Sequence, residues 1–288
     1  MLEDARPRAR QVAVGEFDGV HLGHREVIAG NDTVLTFDPH PLAVVRPEAA
    51  PRLLTGLDLK ADLIAGLGVD ELVVIPFDEG FAHQSPQEFI DQVLVARLGA
   101  EQVSVGENFR FGYRAAGDPA LLAADERFRT RIVPLVEVDG EVVSSSHIRG
   151  LVLAGEVALA ARFLGGPFQL RGEVVSGDRR GRTLGFPTAN VVPEEELVCP
   201  GHGVYAARAD GMPAAVSVGV RPTFGTGRGV LIEAYLIDRE LDLYGHRLTI
   251  EFLRRLRGER RFDSAEALIE QMREDVERTR SLLASGAA

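Results

Sequence analysis

Two histidines three residues apart, His21 and His24, lie in the segment GEFDGVHLGH, directly after a short apolar run. Residues at this spacing at the start of a helix share one face, so both imidazoles are expected to point towards one ligand. A helix N-terminus offers free amides and a positive dipole to a phosphate. No nucleophile accompanies the pair, which predicts positioning and charge stabilisation. The alternative is a pair of surface or metal-binding histidines.

Glycines and serines elsewhere in this half also suit a phosphate. Gly15, Gly19 and Gly23 let the backbone approach a ligand closely. Later, SSSHIR (Ser144–Arg149) begins another helix, where hydroxyls and an arginine suit the phosphate tail of a nucleotide. The alternative is a serine N-cap followed by a solvated arginine.

Two more segments follow apolar runs, TFDPHP (Thr36–Pro41) and GENFRFG (Gly106–Gly112). The second contains an amide and two rings that could hold a flat heterocycle, although a phenylalanine is also a common core residue. Its candidate ligand-binding residues are Asn108, Phe109 and Phe111.

A different phosphate-handling pattern, GDRRGRTLGFPTAN, spans Gly177–Asn190. Its glycines, which include Gly177 and Gly181, allow a tight loop whose amides face phosphate. Thr188 and Asn190 are two residues apart in an extended segment, so they point to the same face. Their oxygens are hard ligands of the kind that Mg²⁺ accepts alongside ATP phosphates. A basic surface turn before a strand is the alternative, and it explains only the arginines.

One carboxylate interrupts an apolar run. Glu233 lies within VLIEAYLI (Val230–Ile237), where an ionised group is costly unless it is partnered or exposed. It could accept a proton from a substrate hydroxyl during phosphoryl transfer. The alternative is a solvent-facing strand residue.

Composition limits the class of protein. The 288 residues are 45% hydrophobic and 26% charged, which fits two globular domains, and no apolar run is long enough to span a membrane. The net charge of −11 argues against nucleic acid as a partner, although the basic run Arg254–Phe262 leaves an RNA-binding alternative. The single cysteine, Cys199, excludes an internal disulfide, and the charged N-terminus does not resemble a signal peptide. We therefore expect a cytoplasmic protein.

The first half alternates short apolar runs with helical patterns. The predicted strands are Gln11–Gly15, Thr33–Phe37, Glu71–Phe77 and Gln102–Gly106. The predicted helices are Leu57–Gly68 and Pro86–Gly99, each ending in glycine. This alternation predicts a parallel sheet covered on both faces, with ligands outside the carboxyl ends of its strands.

The pattern changes after residue 165, where LGGPF (Leu164–Phe168) has the glycines and proline of a linker. Asp210-Gly211 is a hairpin signal, and a helix is predicted over Ser264–Leu283. The predicted strands are Phe168–Val175, Gly203–Ala209, Ala214–Val220, Val230–Ile237 and His246–Leu253. We predict an α/β domain over residues 1–165 and a small antiparallel β-barrel with a terminal helix over residues 166–288.

These segments carry a family resemblance. GEFDGVHLGH, TFDPHP, GENFRFG and SSSHIRG resemble the FMN adenylyltransferase module of bacterial bifunctional riboflavin kinase/FAD synthetases, over nearly all of residues 12–163. GRTLGFPTAN, SVGVRPTFG, Glu233 and DLYGHRL are similar to the riboflavin kinase module, over most of residues 168–262. The resemblance implies a Rossmann-like nucleotidylyltransferase domain followed by a kinase barrel.

The resemblance also implies roles for single residues. In the first module His21 and His24 are catalytic, and the residues implied to bind ATP are Gly15, Phe17, Gly23, Ser145, Ser146 and Arg149. The residues implied to bind flavin are Asp38, Asn108, Phe109 and Phe111. In the second module Glu233 activates the ribityl 5′-hydroxyl, and Thr188 and Asn190 hold Mg²⁺ and ATP. The remaining ATP-binding residues implied there are Gly177, Gly181 and Arg182.

The chain departs from the family pattern at two places. Eleven residues separate His24 from Thr36, fewer than is usual in the family, which limits the first helix to about two turns. Tyr235 occupies a position where family members often have histidine, on the same strand face as Glu233. We expect the short helix to leave both histidines in place and Tyr235 to alter packing without removing the base.

The predicted function is two consecutive reactions. The second domain phosphorylates riboflavin with ATP to give FMN, and the first transfers AMP from another ATP to FMN, giving FAD and pyrophosphate. Mg²⁺ is expected with ATP, and no permanently bound cofactor, nucleic acid or membrane is expected. One alternative is a monofunctional riboflavin kinase with a vestigial N-terminal domain. Another is a flavin-binding regulator or carrier without turnover.

Overall fold

The computed structural model describes residues 8–176, 185–219, 230–239 and 241–285. The chain divides into two compact units. The first comprises Met1–Arg52 and Leu57–Ser144, and the second comprises Leu53–Gly56 and Ser145–Ala288. Residues 145–164, which precede the expected domain boundary, cluster with the second unit. The second unit is therefore built from two separate stretches of sequence.

A parallel sheet forms the centre of the first unit, as the alternating pattern predicts. Its five strands are β1 (Arg10–Val14), β2 (Thr33–Asp38), β3 (Glu71–Pro76), β4 (Ala100–Gly106) and β5 (Arg129–Val133). They lie in the order β3-β2-β1-β4-β5, and every neighbouring pair is parallel. The sequence pattern does not predict β5, because this edge strand, RTRIV, carries two arginines and only its last residue is buried.

Short helices connect these strands. They are α1 (Leu22–Ile28), α2 (Pro41–Val45), α3 (Leu57–Ala65), α4 (Glu79–Ala82), α5 (Pro86–Glu88) and α6 (Pro119–Ala123). Helix α5 continues directly as a π-helix over Phe89–Arg97, so the predicted helix from Pro86 is present in a wider form. A small hairpin, β6 (Glu137–Val138) and β7 (Glu141–Val142), follows the sheet.

Apolar clusters cover both faces of the sheet. Val12 and Val14 of β1 belong to one cluster, which includes residues of the π-helix. Ala13 belongs to the other cluster, with Val27 of α1 and Ile64 of α3. The strand order reverses between β1 and β4, and sheets of this topology bind ligands outside the carboxyl ends of the strands at that point. The loop that carries the two histidines follows β1 at this edge.

The second unit contains a closed antiparallel barrel, as predicted. Its six strands are β8 (Phe168–Val175), β9 (Thr188–Pro193), β10 (Gly203–Ala209), β11 (Met212–Gly219), β12 (Leu231–Leu236) and β13 (Arg247–Arg257). They close in the order β10-β11-β12-β9-β8-β13. Helices α7 (Ser145–Ala154) and α8 (Val157–Leu164) precede the barrel, and α9 (Ala265–Ala284) follows it. Ser264 caps α9 by accepting a bond from the Ala267 amide at 3.2 Å.

Strand β12 shows how the barrel wall separates two environments. Ile232, Ala234 and Leu236 are buried, whereas Glu233 and Tyr235 alternate with them and are half-buried. Because successive strand residues point to opposite faces, the apolar set fills the barrel and the other two lie on its outer wall. Helix α9 packs over part of this wall.

A short piece of the first half of the sequence belongs to the second unit. Leu53 pairs in parallel with Leu197. The Leu53 amide donates to the Glu196 carbonyl at 2.7 Å, and the Leu53 carbonyl accepts from the Val198 amide at 2.8 Å. The neighbouring Leu54 is fully buried.

Candidate functional site

His21 and His24 lie face to face in the loop after β1 and the first turn of α1. Their ring centroids are 3.5 Å apart, with an interplanar angle of 15°. His21 caps α1, because its Nδ1 accepts a bond from the His24 backbone amide at 3.2 Å. The short helix therefore begins with one histidine fixing the backbone of the other.

Gly15 and Gly23 lie so close to neighbouring rings that a side chain at either position would crowd them. A Cβ on Gly15 would lie 3.0 Å from the Phe17 ring, and a Cβ on Gly23 would lie 3.3 Å from the His21 ring. Phe17 is 1% exposed and has a left-handed backbone with φ of 51°. Its ring meets His24 edge-on at 5.4 Å. Phe17, expected at the ATP site, is thus a core residue that supports the second imidazole.

Burial makes both imidazoles neutral at pH 7. It lowers the pKa of His21 to about 4. Burial, with smaller effects of His21 and Lys60, lowers the pKa of His24 well below its ordinary value. The Nδ1 atom of His24 is buried and has no hydrogen-bond partner among the residues that the structure describes. Neutral rings can offer hydrogen bonds to a ligand but carry no positive charge.

Two further ionisable residues lie beside the histidines and were not predicted from the sequence. Lys60 of α3 is 5% exposed and donates to the Glu16 carbonyl at 2.8 Å. Glu16 belongs to the same loop as the histidines, and its Oε2 atom is buried without a partner in the described ranges. A weak signal exists: Lys60 lies four residues before the buried Ile64, on the buried face of its helix.

The predicted flavin residues follow the carboxyl ends of two strands that flank β1. Asp38 ends β2 and is exposed, and Asn108 is exposed in the turn after β4. The rings of Phe109 and Phe111 stack with centroids 5.6 Å apart and an angle of 15°. Phe111 also packs against Phe89 at 5.5 Å, so one ring of the pair is anchored in the core.

The predicted ATP-binding residues Ser145, Ser146 and Arg149 begin helix α7 of the second unit. Ser146 is exposed, whereas Ser145 and Arg149 are partly buried. Ile148 and Val152 form the buried side of this helix.

Residues expected to form the kinase site lie in one row across three strands. Glu233 of β12 is directly opposite Asn190 of β9 on one side and Ser217 of β11 on the other. Tyr235 is opposite Thr188 in the same sheet. Residues directly opposite each other in antiparallel strands share a face, so these five side chains lie on the outer wall of the barrel.

A pocket of about 270 Å³ lies between this wall and α9. One side is formed by strand residues, and the other is formed mainly by α9. Its lining residues are Phe186, Thr188, Val204, Ala215, Ser217, Glu233, Tyr235, Arg257, Leu268, Met272, Asp275 and Val276. An apolar slot with a few polar groups suits a flat heterocycle that carries a hydroxylated chain.

An ion pair that was not predicted holds α9 against the barrel at this pocket. Arg257 Nε and Nη2 donate to Asp275 Oδ2 at 3.0 and 2.9 Å. Asp275 is 3% exposed. Arg257 belongs to the basic run that left the RNA-binding alternative, and Arg255 of the same run donates to the His202 carbonyl at 2.5 Å. At least these two arginines have structural partners.

Comparison with known proteins decides the family. A family model described as FAD synthetase matches residues 3–147, and one described as riboflavin kinase matches residues 164–283. The chain belongs to the family of bifunctional riboflavin kinase/FMN adenylyltransferases. Such an enzyme from Listeria monocytogenes is 39% identical, covering 95% of this chain and 92% of the relative. One from Pseudomonas fluorescens is 36% identical, covering 99% and 97%.

A solved structure agrees with the fold. The crystal structure described as a macrolide-efflux protein from Streptococcus pneumoniae is 31% identical, with a TM-score of 0.86 over 97% of this chain and 96% of that one. In the part of the chain that the structure describes, no helix combines the length and apolar character needed to cross a membrane.

Family membership answers three of the alternatives. The full-length similarity, with an FAD synthetase match over residues 3–147, shows that the N-terminal half is not vestigial. The relatives from Listeria monocytogenes and Pseudomonas fluorescens are named as enzymes and not as RNA-binding proteins or regulators. The predicted phosphate-binding residues Gly177, Gly181 and Arg182 lie outside the described residues, so their roles stay predictions.

Proposed function

We propose that the second unit transfers the γ-phosphate of ATP to riboflavin, with Glu233 as the base. The observation that carries this assignment is the cross-strand row in which Glu233 lies between Asn190 and Ser217 beside the pocket. Glu233 takes the proton of the ribityl 5′-hydroxyl as its oxygen attacks the γ-phosphorus, and ADP leaves. The flavin ring occupies the slot between the barrel wall and α9.

Mg²⁺ would bind to the same row of residues. Thr188 and Asn190 provide a hydroxyl and an amide oxygen on one face of β9, which are donors suited to a hard cation. The described residues include no group of three or more His, Cys, Asp or Glu side chains placed to hold a metal. Phosphate oxygens would therefore complete the coordination, and the ion would offset charge on the transferred phosphate.

The first unit transfers AMP from a second ATP to FMN, which gives FAD and pyrophosphate. His21 and His24 are the proposed catalytic pair in this unit, and their stacking and shared helix start support that role. Since both rings are neutral, they contribute N–H groups that bind phosphate oxygens. Asp38, Asn108, Phe109 and Phe111 are the proposed flavin-binding residues. Both reactions consume ATP and are proposed to take place in the cytoplasm.

The functional boundary between the two activities is proposed to follow residue 165. The two family models support it, since one ends at residue 147 and the other begins at residue 164. Helices α7 and α8 lie largely between the two matches and cluster with the barrel unit.

A product assay tests the proposal. Purified protein is incubated with riboflavin, ATP and Mg²⁺, and flavins are separated over time; a parallel reaction starts from FMN. We expect FMN to appear first and FAD to follow. FMN without FAD in both reactions would remove the adenylyl-transfer role, and absence of both products would leave a flavin-binding protein without turnover.

A further inference from the structure

Lys60 is a buried cation, and none of the roles proposed above involves it. Its ammonium bonds to the Glu16 carbonyl at 2.8 Å. An ammonium has more than one donor hydrogen, and no other hydrogen bond or ion pair of Lys60 occurs within the described part of the chain. Donors of this ammonium therefore remain for a ligand.

The carboxyl of Glu16 lies in the same place and also has unused capacity. Its Oε2 atom is buried and has no partner in the described ranges. Burial raises the pKa of Glu16 to about 8, against the effect of Lys60 and with smaller contributions from Asp18 and Asp38. Burial thus favours the protonated carboxyl, which leaves the charge of the lysine uncancelled.

A buried ammonium without an ion-pair partner is costly, and burial accordingly lowers the pKa of Lys60. Glu16, Asp18 and Asp38 act in the opposite direction on that pKa. Lys60 also contributes to lowering the pKa of His24, so its charge is felt at the imidazole pair. An anion bound beside the histidines would offset the cost of burying this cation.

We propose that Lys60 binds an anionic oxygen of the phosphates that react in adenylyl transfer, with the carboxyl of Glu16 as its neighbour in the site. This inference rests on the proposed adenylyl transfer in the first unit. In that step a phosphate oxygen of FMN forms a bond to the α-phosphorus of ATP. The bond from that phosphorus to the pyrophosphate oxygen breaks, and pyrophosphate leaves with the electron pair. The ammonium keeps its proton and stabilises the charge on the reacting oxygens.

A purely structural role for Lys60 makes a different prediction. The Glu16 carbonyl accepts a second bond, from Thr36 Oγ1 at 3.1 Å. If Lys60 only holds this loop, then removing either bond should have a similar effect. Thr36→Val is therefore the matched control, because it removes a bond to the same carbonyl and leaves the charge in place.

The experiment measures pyrophosphate release from FMN and ATP by the full chain and by Lys60→Met, Lys60→Arg and Thr36→Val. We expect Lys60→Met to lower kcat/KM about 100-fold or more, mostly in kcat. Lys60→Arg should retain more activity than Lys60→Met, and Thr36→Val should stay within about fivefold of the parent. Phosphorylation of riboflavin by the same preparations is the internal control and should not change.

Two results would overturn the inference: Lys60→Met as active as the parent, or Lys60→Met and Thr36→Val losing activity equally. A parent protein that forms no FAD from FMN would instead remove the proposed function itself.

Should Lys60→Met fail to fold, the pH profile of Glu16→Gln provides a second test. The charged groups around Glu16 are Lys60 from α3, Asp18 in its own loop and Asp38 at the end of β2, with His24 of α1 coupled to the lysine. Adenylyl transfer by the parent should fall above about pH 8, where Glu16 ionises and cancels the lysine charge. Glu16→Gln should lack this fall, and identical profiles would contradict the inference.

Discussion

Among the described residues, Glu233 and Asp275 are the two carboxylates that line the barrel pocket, and their surroundings differ. Asp275 is held by Arg257 through the bonds that fix α9. Glu233 lies between Asn190 and Ser217 on the strand wall. The ion pair with Arg257 gives Asp275 a structural role, and for this reason we propose Glu233 as the base.

Replacing Glu233 by glutamine keeps the shape of the side chain and removes the base. We expect FMN formation from riboflavin to fall by a factor of about 10² to 10⁴. FAD formation from supplied FMN should be unchanged, because Glu233 lies on the barrel wall and is not among the residues proposed for adenylyl transfer. Both rates are read by flavin separation. Loss of both activities, with the protein folded, would contradict separate sites.

The residues that sequence could and could not identify differ in one physical respect. Glu233, Thr188 and Asn190 are recognisable because local strand spacing puts polar groups on one face. Lys60, Glu16 and Asp275 acquire their roles from burial by distant parts of the chain. A charged residue in a short window is ordinarily solvated, so no local pattern distinguishes Glu16 or Asp275, and only the spacing to Ile64 points weakly to Lys60.

At the scale of elements, the short α1 is stabilised from outside. Arg131 of β5 donates to the Ala29 carbonyl at 2.5 Å and to the Glu26 carbonyl at 2.9 Å. Asn31 Nδ2 donates to the Val27 carbonyl at 2.9 Å. These bonds satisfy carbonyls at the helix end that no helical partner can reach. They explain how a helix of only seven residues, which carries His24, is kept folded.

We expect Arg131→Met to lower adenylyl transfer by about tenfold or more, because α1 loses two bonds at its C-terminal end and His24 shifts. Riboflavin phosphorylation should stay unchanged. Arg129→Met is the matched control, since Arg129 lies two residues earlier on the same strand and is exposed. Adenylyl transfer is measured as pyrophosphate release. Equal losses of this activity in the two variants would argue against a role for the bonds from Arg131 to α1.

A second element, the central strand β1, begins at a buried arginine. Arg10 is 1% exposed and its Nε donates to Glu71 Oε2 at 2.8 Å. The bond from Arg10 is the main cause that lowers the pKa of Glu71 from its usual value of 4.5. A lowered pKa means that this stabilisation is complete above pH 4.5 and is lost as the pH falls through the folded-state pKa.

Glu71→Gln should therefore destabilise the first unit by about 1–3 kcal/mol at pH 7. The difference from the parent should shrink as the pH falls below 4.5. Urea unfolding at several pH values measures it. Glu101→Gln, an exposed position on β4, is the control and should change stability by less than about 0.5 kcal/mol. If Glu71→Gln were still less stable than the parent well below pH 4.5, the ionised Glu71 carboxylate would not be the source of the stabilisation.

At the scale of the whole molecule, each unit has its own core, so damage to one site should leave the other intact. We expect a mixture of His24→Ala and Glu233→Gln to make FAD from riboflavin, although neither variant does so alone. The first would supply FMN, and the second would consume it. A mixture that stops at FMN, while Glu233→Gln converts added FMN, would show that FMN does not pass through solvent.

The architecture of both units was accessible from the sequence. Strand and helix alternation predicted the parallel sheet, and the Asp210-Gly211 hairpin, with φ of 44° and 78°, is where the turn signal put it. Strand β5 was missed because its arginines hide the apolar pattern of an edge strand. The sequence also did not show that α7 and α8 cluster with the second unit, because tertiary contacts and not composition decide this.

The pairing of Leu53 with Leu197 has a consequence for dissecting the protein. A gene fragment that starts at residue 145 would encode every barrel strand and still omit part of the folded unit. The Val198 amide would lose its acceptor, and the space that Leu54 fills would open to water. Supplying residues 53–56 as a synthetic peptide would then be the natural attempt at repair.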